Sequence, residues 1–367
     1  LPSRSWASAA LVAALIVAGC GGGEEPGDAT LRVYVSLPLR GASGADGRDA
    51  ADGARLALAD AGGEAGGLAV EAVVLDDTGE TAGGARWSPV RAAGNARTAI
   101  QDSTAIAYLG DFESGATRAS LPVTNEASLL QVSPASGAVD LVAPFPGSDD
   151  VPDAQPSGER TFGRVIPSDD AQAEAAAGWA RGLGWDRVAV VDDGSRFGET
   201  LAGAFADEAR ELGIATGPGG GTRVYLAGAA SGRSRQALAS DAFLPPYRRR
   251  APAGLMPTSA ALDPAQLPPA GRDFAQRFEE EYGRAPGRYA AYGYEAMAVT
   301  LDSIERASDP ADRDAVVDAF FETTERESIL GTYSVDELGE TTLAEMSGYR
   351  IGGGGRARAV AELSAAD

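Results

Sequence analysis

Ile106-Ala107-Tyr108-Leu109-Gly110-Asp111-Phe112-Glu113-Ser114-Gly115-Ala116 reads as a short buried strand that stops at Gly110, a polar loop, and a helix that opens at Ser114. A strand that feeds a helix start through Ser and Gly leaves free backbone N–H groups facing the loop, and the helix dipole adds partial positive charge there. Such a place holds an anion, a small carboxylate as well as a phosphate. A bare N-cap has the same sequence signature, so the surrounding chain has to decide between them.

Upstream, 31–37 is a strand, 40–49 a Gly-rich loop, 50–61 a helix ended by Gly62-Gly63, and 70–75 a strand closed by Asp76-Asp77. A helix over 89–101 leads into the opening strand; the helix 116–127 and a strand at 129–132 follow. Strand and helix alternate at the spacing of βαβ units, which predicts an α/β fold with parallel doubly wound sheets. Ligands of such sheets sit outside the carboxyl ends of the strands. The loops 36–39, 110–114 and 133–137 all fall at that edge.

Residues 140–160 break the rhythm with Pro144, Pro146, Pro152 and Pro156 and read as a solvated loop or linker. A second series follows: strand 161–166, helix 170–182, strand 187–191, helix 199–212, hence a second lobe. The 367 residues are long for one core and fit two lobes.

Composition narrows the chemistry. The formal net charge is −22, which repels nucleic acid and anionic lipid headgroups. His is absent, and all 31 basic residues are Arg. Without His there is no Ser-His-Asp or Cys-His nucleophile and no His-ligated metal. Without Lys there is no P-loop and no Schiff base. Paired-carboxylate catalysis remains, but no two acids are singled out for it. The expectation is a protein that is not an enzyme, with no catalytic residue, cofactor or metal.

At the start, Arg4 precedes an apolar run over 7–18 that is too short to span a bilayer, which takes about 20 residues. The length suits a secretory signal. Leu15-Ile16-Val17-Ala18-Gly19-Cys20 resembles the lipobox of bacterial lipoproteins, which implies a lipid on Cys20, the only cysteine. Residues 1–19 are then the signal peptide and 20–30 a flexible tether. The mature chain would lie outside the cytoplasm, held to the cell membrane by lipid.

Leu37-Pro38-Leu39-Arg40-Gly41, Val74-Leu75-Asp76-Asp77, Tyr108-Leu109-Gly110 with Ser114-Gly115-Ala116, and Gln131-Val132-Ser133-Pro134-Ala135-Ser136 follow one another in order. Asp192-Asp193-Gly194 with Phe197-Gly198, Tyr292-Gly293-Tyr294-Glu295-Ala296 and Gly331-Thr332-Tyr333-Ser334 continue the set. Together these pieces resemble the substrate-binding proteins of branched-chain amino acid ABC transporters (type I periplasmic binding protein fold), over nearly all of the mature chain. The resemblance implies two Rossmann-like lobes joined by a three-strand hinge, with 31–160 and 258–330 in the first and 161–257 and 331–360 in the second. Residues 361–367 are left as a tail. It also implies a monomer that closes on a small amino acid or related amide and presents it to an ABC permease. A ligand-sensing or interaction protein of the same fold, uncoupled from a permease, is the alternative.

The resemblance places the ligand carboxylate on Ser114 and Gly115, with Ala135, Ser136 and Gly137 beside it. Gly137 stands where the family often has Thr. It also implies that Phe197 closes over the ligand from the second lobe and that Asp241 meets the ammonium group. From the residues alone, Phe197 could equally be core packing, Asp241 an N-cap and Ser136 a turn cap, while Tyr289, Tyr292 and Tyr294 read as structural. After Leu212 the spacing leaves no room for a full crossover helix before the strand at 223–226, so the second lobe looks trimmed.

Overall fold

The computed structural model describes residues 30–144, 150–217, 223–230, 236–244 and 251–365. The signal segment, the tether before residue 30 and Cys20 lie outside them. No helix among the described residues is long and apolar enough to cross a membrane.

The chain opens with β1 (Thr30–Leu37) and α1 (Gly44–Asp60), then β2 (Glu64–Ala65) and β3 (Leu68–Asp76). A hairpin, β4 (Thr78–Thr81) and β5 (Gly84–Trp87), precedes α2 (Pro89–Gln101). That helix starts as its sequence dictates: the Ser88 hydroxyl accepts from the Arg91 N–H, and Pro89 occupies the first turn, where no N–H is needed. The central strand β6 (Ala105–Gly110), α3 (Ser114–Asn125), β7 (Leu130–Ser133) and β8 (Phe162–Arg164) complete the first lobe's βα series. The strand order is β2-β3-β1-β6-β7-β8, parallel throughout except for β2.

The second lobe begins with α4 (Asp169–Gly182), capped by Ser168, then β9 (Arg187–Val191) and α5 (Arg196–Glu211), capped by Ser195. Short strands β10 (Ala215–Thr216), β11 (Arg223–Leu226), β12 (Gln236–Ala239) and β13 (Met256–Ser259) follow. The chain then returns to the first lobe as α6 (Pro269–Tyr282), α7 (Arg288–Arg306) and α8 (Arg313–Phe321), with the hairpin β14 (Arg326–Ser328) and β15 (Gly331–Tyr333). It ends in β16 (Glu345–Ile351) and β17 (Ala357–Ser364) on the second sheet, whose order is β10-β9-β11-β12-β13-β16-β17. The two sheets make two α/β lobes.

Each lobe has its own core. In the first, Val33, Val35, Ile106, Leu109 and Val132 on one sheet face meet α1, α6, α7 and α8, while Tyr34 and Tyr108 on the other meet α2 and α3. Helices α1 and α7 touch backbone to backbone. A Cβ at Gly53 would stand 2.0 Å from the Ala290 carbonyl oxygen, and one at Gly293 2.0 Å from that of Ala50. This contact ties the returning segment to the first lobe. In the second, the Ala face of α4 and Leu201 and Phe205 of α5 cover one side of the sheet. On the other side Phe243, Leu244 and Leu255 pack, and among the described residues no α-helix covers it.

Several expectations need correction. Phe162–Arg164 was expected to open the second lobe but pairs with β7 on the first sheet, and the chain leaves only after Arg164. The second lobe was expected to resume at residue 331; Tyr333 and Val335 instead lie in the first core, and the crossing comes between Val335 and β16. The expected tail at 361–367 begins inside β17, paired antiparallel with β16. The described parts of the 140–160 stretch, expected to be solvated, are docked: Leu141, Val142 and Ala143 pack on Leu121 and Phe162. The buried Gln155 accepts from the Thr161 N–H at 2.8 Å and donates to the Leu141 carbonyl at 3.2 Å. Among the described residues no helix stands between β10 and β12. Here β10 pairs with the outer side of β9, while β11 pairs with its inner side.

Candidate ligand cleft

Three strand ends build the first-lobe wall, and Asp111 pins them together. Its carboxylate accepts from the hydroxyls of Ser36 (2.7 Å), Tyr108 (3.3 Å) and Ser120, and its carbonyl from those of Ser133 (2.7 Å) and Ser136 (3.0 Å). Burial lifts the Asp111 carboxyl to about 6 even though those hydroxyls favour its charged form. The loop of the opening stretch is thus held from below by a dense hydroxyl network.

On that wall α3 begins at Ser114, half-buried, its Oγ accepting from the Ala138 N–H at 3.2 Å. Gly115 lies under the Trp87 indole; a Cβ there would stand 2.5 Å from the ring. Ala135 is half-buried. The Ser136 hydroxyl turns inward, 2.7 Å from Thr117 Oγ1. Gly137 packs beneath a second-lobe carboxylate: its carbonyl accepts from the Asp169 N–H at 2.8 Å, and a Cβ would stand 2.3 Å from Asp169 Oδ1. A side chain at 137 would meet that carboxylate.

Opposite this wall stand the second lobe's acids. Asp169, at the start of α4, is pushed up to about 7 by burial and by Asp241 and Asp170, against the pull of Arg164. Asp241 begins a 3-10 turn, and burial raises it too, while Arg288 opposes the shift. Phe197, in the first turn of α5, is half-buried against the second core.

Two further groups that sequence reasoning passed over, Asp46 and Arg288, lie near these acids, with Tyr289 beside them. Asp46, in the first turn of α1, is 9% exposed, and its Oδ2 has no hydrogen-bond partner. Burial carries it to about 6, with Arg288 pulling down and Asp49 and Asp241 pushing up. Arg288 opens α7 with its guanidinium 5.5 Å from the Tyr289 ring, 5.8 Å from the Tyr349 ring and Nη1 3.0 Å from Ser259 Oγ. Tyr289, read as structural, stands edge-on to Phe112 at 4.6 Å. Asp46 falls inside the stretch 40–49 read as a Gly-rich loop, and Asp169 just before the helix expected over 170–182. Only the fold brings them to one cleft. Among the described residues no group of three or more acidic or Cys side chains could hold a metal ion.

The arrangement can bind and enclose a small polar molecule between hydrogen-bonding backbone on one lobe and carboxylates on the other. Comparison with known proteins agrees with this architecture. The periplasmic binding protein family model matches residues 30–242, more than half of the chain, and the chain belongs to that family of solute-binding proteins. Among solved structures it is similar to the leucine-binding protein LivK from Thermotoga maritima, at 24% identity over 91% of this chain and 99% of that one, TM-score 0.72. It is similar also to LivJ from Streptococcus pneumoniae in complex with isoleucine, at 16% identity over 91% and 99%, TM-score 0.68. A third is an ABC transporter solute-binding protein from Rhodopseudomonas palustris in complex with 3,4-dihydroxybenzoic acid, at 14% identity over 92% and 98%, TM-score 0.69. At these identities the likeness is one of fold. No curated protein matches by sequence.

Proposed function

We propose that this chain is the solute-binding component of an ABC importer, capturing a small amino acid or related amide by closure of its two lobes. What supports the reading is the helix start at Ser114 on the carboxyl edge of the first sheet, together with the acids Asp169 and Asp241 on the second lobe, Asp169 being joined to Gly137 through its N–H. The first offers helix-start N–H groups to a carboxylate. The second offers acids to an ammonium. Leucine- and isoleucine-binding proteins of the same fold support that pairing. The chain passes between the lobes at 164–169, 259–269 and 335–345, a hinge arrangement suited to closing motion. In this reading the signal peptide is removed, Cys20 carries a lipid, and the monomer works at the outer face of the cell membrane beside its permease.

A thermal-shift screen of amino acids and amides on the mature protein tests this. At least one should raise the melting temperature, and Ser114→Ala combined with Asp241→Ala should abolish the rise. A full rise in the double variant would remove the site assignment.

A further inference from the structure

We infer that Arg164 is a positioning residue of the ligand site: gripped by Glu340 from the third crossing between the lobes, it holds the carbonyls of Ser136 and Ala138 and so sets the direction of the Gly137 N–H. The inference rests on the reading of this edge as the seat of a ligand carboxylate and goes on to say how the hinge fixes that seat.

Arg164 ends β8, where the chain first leaves the first lobe, and its side chain is fully buried. One edge of the guanidinium meets Glu340: Nε donates to Oε2 at 2.6 Å and Nη2 to Oε1. Such a bidentate pair fixes the guanidinium plane as well as its position. The remaining nitrogen, Nη1, donates to the carbonyls of Ser136 at 3.0 Å and Ala138 at 2.9 Å. The Arg164 N–H donates to the Gly339 carbonyl at 3.0 Å, so backbone and side chain both tie the first crossing to the third. Glu340 is itself held, its N–H donating to Asp336 Oδ1 at 2.8 Å.

The consequence falls on the ligand loop. Of the N–H groups at 135–138, those of Ala135 and Ser136 donate to Ser133 Oγ and that of Ala138 to Ser114 Oγ. The Gly137 N–H donates to nothing among the described residues. The peptide bond between Ser136 and Gly137 is trans, and in a trans unit the C=O and N–H point in opposite directions. Arg164 therefore draws the Ser136 carbonyl toward itself and turns the Gly137 N–H away. The next unit is fixed by the Asp169 N–H on the Gly137 carbonyl at 2.8 Å and by Ser114 Oγ, and the one after it again by Arg164 on the Ala138 carbonyl. The one unspent donor of the loop thus stands in a plane that Arg164 controls. Released from Arg164, that plane swings readily, because glycine adds no side-chain barrier at 137.

The test is calorimetric titration of the mature protein with L-leucine, L-glutamate and L-asparagine and with the α-carboxamide of each, repeated on Arg164→Lys and Glu340→Gln. The native protein should bind at least one of the amino acids about tenfold or more above its carboxamide, as a donor aimed at a carboxylate requires. Arg164→Lys keeps the charge, but one ammonium cannot serve a carboxylate and two carbonyls in that planar geometry. It should weaken the amino acid about tenfold and the carboxamide about threefold or less, so their ratio falls; a residue that only supports the fold would weaken both alike. If circular dichroism shows that Arg164→Lys does not fold, Glu340→Gln, which removes only the grip from the third crossing, decides, and the ratio should fall about threefold. A native protein without preference for the amino acid, or a ratio unmoved by Glu340→Gln or by a folded Arg164→Lys, overturns the inference and leaves the solute-binding reading standing. Binding of none of these compounds by the native protein overturns both.

Discussion

Arg196 in the first turn of α5 places Nη1 2.5 Å from Asp140 Oδ2, joining the second lobe to a first-lobe carboxylate that Arg118 already grips with Nε and Nη2. The pair bridges the lobes beside the first crossing, so it holds them in this arrangement, and a latch of that kind would slow the release of a ligand bound between them. Arg196 is 67% exposed, which limits the pair to under about 1 kcal/mol. Arg196→Ala should therefore speed ligand dissociation about threefold with little change in association. Stopped-flow dissociation at low and high salt would show it, since screening weakens an exposed pair. An unchanged dissociation rate would mean that the latch does not hold the closed form.

Gly137 and Asp169 define how closely the lobes approach at the first crossing. A threonine at position 137 would add a hydroxyl but would drive Cβ into Asp169 Oδ1. Gly137→Thr should destabilise the protein by about 2 kcal/mol, as overpacking of a tight contact does. Adding Asp169→Ala should recover most of that loss, because the clash partner is gone. Urea unfolding of the single and double variants would check it; a neutral single variant would mean that the carboxylate moves aside freely.

Tyr225 stacks on Phe205 with ring centroids 4.0 Å apart, fully buried, and its hydroxyl has no partner. The ring contributes packing, while the hydroxyl contributes only the cost of leaving water. Tyr225→Phe keeps the stack and removes the orphan, so stability should rise by about 1 kcal/mol. Calorimetric melting would measure it. A loss of similar size would show that a water serves the hydroxyl.

How much of this was readable beforehand follows from where the determining contacts lie. Strands such as β6 and helices such as α2 carry their own signals, in apolar runs and in Ser88-Pro89, so the alternation and the first lobe could be read locally. The hairpin at Thr78–Trp87 could not. Apart from the buried Thr78 its residues are exposed or half-exposed, most of them polar or Gly, and its purpose, Trp87 lying on Gly115, links segments that only the fold makes neighbours. The same holds for the cleft. Ser114 announces itself as a helix start, whereas Asp46, Asp169 and Arg288 matter through mutual proximity across three elements. The edge position of β10 escaped notice because short strands have little periodicity to read.

Asp77 offers the sharpest pH test. It is fully buried behind β3, neither carboxylate oxygen has a partner, and burial, with Asp111, Glu113 and Asp76 nearby, lifts it to about 8. An unfolded aspartate titrates near 3.8. Between these values the native state keeps the proton and the unfolded state has released it, so stability declines as pH rises through that window. The decline is bounded by ~1.4 kcal/mol per pH unit, and relaxation around the buried group reduces the total to a few kcal/mol. Asp77→Asn carries no proton to lose. Its stability relative to the native protein should be near equal at about pH 4, higher at about pH 7 and highest above about pH 8. Chemical unfolding at those three values measures the difference directly, and a gain that does not grow with pH would show that Asp77 is ionised in the folded protein.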